Sequence, residues 1–139
     1  MVSGVGGCLT PLASGVQLVG IVGMNHAEEP TRLEVRVLDG ESEVQTSEIE
    51  LDAAEAGDGW IDLGQAGVEC EWSDEPGAFV VEAREDGDWQ QIDVTERADS
   101  ECALVGIEVG GRFESLQFRV DSCEDVDPSA DLTCAFAEE

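Results

Sequence analysis

The side chains with the most chemistry to offer are five cysteines, Cys8, Cys70, Cys102, Cys123 and Cys134. Their spacing contains no Cys-x-x-Cys and His26 is the sole imidazole, so zinc would lack the closely spaced ligand pairs that such sites use. A redox enzyme fails for a related reason, because no paired thiols sit at a helix start that would lower a pKa. Disulfides account for the set better. Residues 101–123, ECALVGIEVGGRFESLQFRVDSC, read as a β-hairpin of two alternating runs joined at Gly110 and Gly111. Val105, Ile107 and Val109 share one face of the first run, and Leu116, Phe118 and Val120 share one face of the second. If Val105 lies across from Val120 and Ile107 from Phe118, Cys102 falls opposite Cys123 on the other face, within reach of a bridge. With Cys8 set aside, Cys70 pairs with Cys134 by elimination; a bridge between Cys123 and Cys134 is the rival, and a cytosolic set of reduced thiols is a further alternative.

Other reactive constellations are scarce. With one His, no Lys and no Tyr, an activated nucleophile lacks a base, and any Ser-His-Asp set would have to be built on His26 in a polar loop, where a solvent-facing role suits it better. The Gly residues read as turns, and none forms a phosphate-cradling motif before a helix. The sequence therefore points to a protein that is not an enzyme and has no cofactor. Carboxylate pairs are everywhere and carry no information, with one exception to weigh. The run EDVDPSAD offers Glu124, Asp125, Asp127 and Asp131 in a single loop, and closely spaced oxygens on a flexible turn suit calcium. It lacks the Gly at the sixth position and Glu at the twelfth of an EF-hand, and solvated surface acid is the better reading. Of the three Trp, Trp60 and Trp72 suit a core or a sheet end. Trp89 suits edge packing, with an exposed binding surface as the alternative.

The charge is lopsided: 33 Asp and Glu against 6 basic residues, all Arg, give −27 over 139 residues. Such a surface repels nucleic acid and anionic lipid. Self-repulsion destabilises a compact chain in dilute buffer, whereas at molar salt the Debye length falls to about 3 Å and most of it is screened. A hydrophobic content of 42% in regular alternation opposes the reading of a disordered acidic segment. Acid excess with no Lys resembles the composition of halophilic archaeal proteins.

The elements that must position these residues are strands. Val16–Val22 is apolar on both faces, and Thr31–Leu38 alternates with Leu33, Val35 and Val37 on one side and Arg32, Glu34 and Arg36 on the other. Asp39-Gly40 turns into a return strand, Glu43–Leu51. Residues 52–67 read as a crossing loop with an apolar island at Trp60–Leu63, or with a helical turn at DAAEA. Strands are then expected at Val68–Trp72, Ala78–Arg84 and Trp89–Thr95, ahead of the cysteine hairpin. Seven or eight short strands with almost no helical period predict one antiparallel two-sheet β-sandwich over residues 15–139, with a partly closed barrel as the alternative. Its expected core is Leu33, Val35, Val37, Ile49, Phe79, Val81, Ile107, Leu116 and Phe118.

Two resemblances bear on location. Residues 1–25 carry no charged side chain, and Val5, Gly6, Gly7 and Cys8 resemble a lipobox, in which the cysteine becomes the lipidated first residue of the mature protein. This implies a signal remnant and tether over residues 1–14, a lipid anchor at Cys8, and the rest of the signal upstream of Met1. The runs NHAEEPTRLEVRVLDG and EPGAFVVEAREDG resemble the immunoglobulin-like modules of haloarchaeal surface lipoproteins, over about half the chain. That resemblance implies a domain on the outer face of the cell membrane, or a secreted one, with an envelope or adhesion role, an unknown protein or small-molecule partner, and no catalytic residues. The alternative is a solute- or metal-binding domain that works with a transporter or an enzyme.

Overall fold

Strict alternation commits a segment to a half-buried strand, because successive side chains leave the pleat on opposite sides. The computed structural model follows this rule and describes residues 15–111, 114–123 and 134, without the side chain of Trp60. Among these described residues there are ten strands: β1 (Gln17–Asn25), β2 (Thr31–Asp39), β3 (Ser42–Leu51), β4 (Glu55–Gly57), β5 (Trp60–Asp62), β6 (Gly64–Gly67), β7 (Phe79–Arg84), β8 (Gln90–Asp93), β9 (Cys102–Val109) and β10 (Gln117–Ser122). A single helical turn, α1 (Val94–Arg97), follows β8, with the Asp93 carboxylate accepting from the Glu96 N–H at its start.

Two four-stranded sheets, β10-β9-β1-β6 and β3-β2-β7-β8, pack face to face, and β4 and β5 form a separate hairpin. The protein is an all-β sandwich, not a closed barrel. Between the sheets lie Leu18, Ile21, Val105 and Ile107 from the first and Leu33, Val35, Val37, Phe79 and Val81 from the second, each almost wholly buried. Leu116 is buried too, whereas Ile49 and Phe118 are only half-buried at the flanks of this core.

The β9–β10 hairpin pairs Val105 with Val120 and Ile107 with Phe118, the register that the alternation predicts. Its turn starts at Gly110 and Gly111, both at positive φ; a Cβ there would collide with Ala27 or His26. Pairing is otherwise antiparallel except between β1 and β9, which run parallel. That pairing contains a bulge: Leu18 faces Ala103 and Gly20 faces Leu104, leaving Val19 as the extra residue. The bulge turns both Leu18 and Ile21 inward, three residues apart, and the carbonyl of Val19 accepts the Cys134 N–H at 2.7 Å.

Several local expectations are corrected. The strand expected at Val68–Trp72 lies earlier, at Gly64–Gly67, where it pairs with β1. Residues 68–72 alternate because Val68 and Trp72 are buried, yet their backbone is held by the Gln45 side chain, which donates to the Glu69 carbonyl at 2.7 Å and accepts from the Glu71 N–H at 3.0 Å. The 52–67 crossing forms the β4–β5 hairpin about Asp58-Gly59, and no helical turn occurs at DAAEA. The strand expected through Thr95 stops at Asp93, where the capping carboxylate starts α1.

Candidate functional site

The register of the second sheet brings three of the six arginines onto its outer face. Pairings of Glu34 with Arg84 and of Arg36 with Glu82 set opposite charges side by side across β2 and β7. Arg84 Nε donates to Glu34 Oε1 at 2.9 Å, and Arg36 Nε donates to Glu82 Oε1 at 2.6 Å. Both guanidinium groups also lie over the Trp89 ring, 4.1 Å from its centroid for Arg36 and 4.5 Å for Arg84. Trp89 sits just before β8, so the stack clips three strands together with a ring whose negative face attracts both cations. Edge packing describes Trp89; the ring is half-buried under arginine.

At the end of this face where β2 begins, an open cleft of about 740 Å³ is lined by Pro30, Thr31, Arg32, Glu34, Glu48, Glu50, Glu85 and Asp86. Thr31 Oγ1 donates to Glu85 Oε2 at 2.7 Å, and Arg32 is loosely paired with Glu48 at 3.8 Å. The cleft concentrates negative charge around one guanidinium. Among the described residues no group of three or more His, Cys, Asp or Glu side chains converges as metal ligands.

The expected site residues fall as follows. Cys70 is bridged to Cys134 with Cα atoms 5.7 Å apart, and Cys102 to Cys123 at 5.4 Å. Cys134 is buried, and its bridge joins the 68–72 segment to the bulge of β1. The Cys102 bridge closes the base of the β9–β10 hairpin, with the Ser100 and Ser122 hydroxyls 2.9 Å apart beside it. Cys8 and the loop bearing Glu124, Asp125, Asp127 and Asp131 lie outside the described residues. His26 is not a solvent-facing loop residue. It is half-buried with Nε2 2.9 Å from Glu108 Oε1, and its backbone N–H donates to the Val109 carbonyl, because β1 and β9 end side by side. Trp72 is buried and donates from its indole N–H to the Leu18 carbonyl at 2.7 Å.

Sequence reasoning missed two further polar anchors. Asn25, fully buried at the end of β1, donates to the carbonyls of Glu29 and Asp52 and accepts from the Ala27 N–H, which ties the β1–β2 and β3–β4 crossings to one side chain. Gln45 is the other. Asn25 carries a signal, a lone amide at the end of an apolar run, since a buried amide must find partners; Gln45 carries none, because Glu43 and Ser47 stand at the alternate positions on either side of it.

The class that these features define is a disulfide-bridged, strongly acidic β-sandwich. Comparison of the chain with models of known protein families and with characterised proteins finds no match. Among the described residues no helix is long and apolar enough to cross a membrane.

Proposed function

We propose that this chain is a non-catalytic module of the outer cell surface of a halophilic archaeon, anchored through lipidated Cys8 and working in envelope structure or adhesion. The observation that carries the reading is the pair of disulfides, which join all four cysteines of the folded body. Such bridges persist in oxidising compartments and are rare in reducing ones. The acidic surface supports the brine environment, and its charge disfavours nucleic acid as a partner.

The test uses the full chain expressed in a haloarchaeal host. An impermeant protease added to intact cells should remove it, and Cys8→Ser should release it to the medium. Non-reducing peptide maps of the native protein should contain both bridged peptides; free thiols at all four positions and protection from protease would overturn the reading.

The carboxylate-lined cleft favours a second reading, a solute- or metal-binding domain serving a transporter or an enzyme. Calorimetric titration with calcium in molar KCl tests the metal form of this reading. Saturable binding lost in Glu48→Gln with Glu50→Gln selects the cleft, and no heat removes calcium as its ligand.

A further inference from the structure

A chain of charge −27 meets its own copy only where the local charge cancels. The edges of the two packed sheets among the described residues are β3 and β8 in one and β6 and β10 in the other. Exposed Glu43, Glu48 and Glu50 line β3, and a register shift interrupts its pairing near Val37 and Leu38; charge and irregularity of this kind block edge-to-edge association. β6 is four residues long with a Gly at each end, and β8 is four residues long and runs straight into α1. β10 is longer than β6 and β8 and lacks the acid excess of β3. Its six residues, Gln117–Ser122, carry one Arg and one Asp and so sum to zero.

The positions of those two charges are self-complementary. Arg119 and Asp121 flank Val120 and share the outer face, where Arg119 Nε donates to Asp121 Oδ2 at 3.0 Å within the strand. Antiparallel pairing of two β10 strands about Val120 sets Arg119 of one copy across from Asp121 of the other, twice, by two-fold symmetry. On the core side Phe118 and Val120 are only half-buried, which leaves apolar surface at this edge for a neighbouring strand to cover.

We propose that β10 is a self-association edge, through which two copies join their β10-β9-β1-β6 sheets into one eight-stranded sheet centred on Val120. The Cys102–Cys123 bridge beside the hairpin base holds β10 in register for this contact. Molar salt promotes the pairing because it removes long-range repulsion between the two acidic bodies, while adjoining Arg–Asp pairs stay within a Debye length of about 3 Å.

The experiment is sedimentation of the full oxidised chain in molar KCl over micromolar to millimolar concentrations. The parent should shift from monomer to dimer mass as concentration rises. Arg119→Asp and Asp121→Arg each place like charges opposite one another, and each should stay monomeric. Mixed in equal amounts they should form a heterodimer, since every cross-strand pair is then opposite in sign, an outcome that misfolding cannot produce. In the parent, β10 amides should become more protected from hydrogen exchange as concentration rises. A parent that remains monomeric with unchanged β10 protection, single variants that still dimerise, or folded single variants that fail to associate when mixed would overturn the proposal.

Discussion

The two sheets share one core but are secured on different principles. The first, β10-β9-β1-β6, has cysteine bridges at the β9–β10 base and at the β1 bulge, and its central strand is apolar on both faces. The second, β3-β2-β7-β8, has no cysteine; its outer face is laced by Arg36, Arg84, Glu34, Glu82 and the Trp89 ring. A covalent bridge is indifferent to ionic strength, whereas an exposed ion pair is screened by it. The second sheet answers this by giving Arg36 and Arg84 carboxylate and aromatic partners at once. A medium of high salt thus tolerates ion pairs that are also packing contacts.

The largest test of this contrast removes a bridge. Replacing Cys70 and Cys134 together by Ala opens a loop with a sequence separation of 64 and should cost about 4 kcal/mol, and the same change at Cys102 and Cys123, separation 21, about 3 kcal/mol by the loop-entropy relation. Denaturant unfolding in molar KCl measures both. Equal losses would show that loop length does not set their worth, and no loss would show that the first sheet does not depend on its bridges.

Next in size is the response to salt. Melting temperature should climb steeply from dilute buffer to molar KCl, because 33 acidic groups have 6 basic partners. The reduced protein should show the same slope from a lower start, since bridges and screening act independently; a flat profile removes the argument from charge.

Smaller again, Trp89→Ala removes the aromatic face from Arg36 and Arg84 and should lose about 1 to 2 kcal/mol. Hydrogen exchange should quicken in β7 and β8 and stay unchanged in β9. Quickening in both sheets would mean that the sandwich opens as one unit. The smallest effect is expected from Arg32→Ala. Its exposed pair with Glu48 spans 3.8 Å, so the loss should be within about 0.5 kcal/mol, and a larger one would show that distance alone misjudges ion pairs on this face.

What could be read from the sequence was whatever depends on alternation. Leu33, Val35 and Val37 announce the inner face of β2, and the parity of Val105, Ile107, Phe118 and Val120 sets both the hairpin register and the Cys102–Cys123 bridge. β6 was not legible, because Gly-Gln-Ala-Gly has no strand preference and owes its extended form to β1 beside it. The neighbouring 68–72 segment misled for the opposite reason, since it alternates in burial without joining a ladder. The Arg36–Trp89–Arg84 stack depends on the joint register of β2, β7 and β8, which no local pattern carries.

The parallel pairing of β1 with β9 has a consequence for the order in which the molecule can be made. β1 precedes both of its neighbours along the chain, lying between β6 and β9, whose partners to Val22 and Ile21 are Gly67 and Val105. β6 covers one edge of β1 from Val22 to Asn25, but the edge that meets β9 stays open until residues 102–109 have emerged, and contacts of such long sequence separation form slowly. Chains stalled before residue 102 would therefore present an open, aggregation-prone strand edge to whatever holds nascent polypeptides, and that edge must be sheltered until β9 arrives.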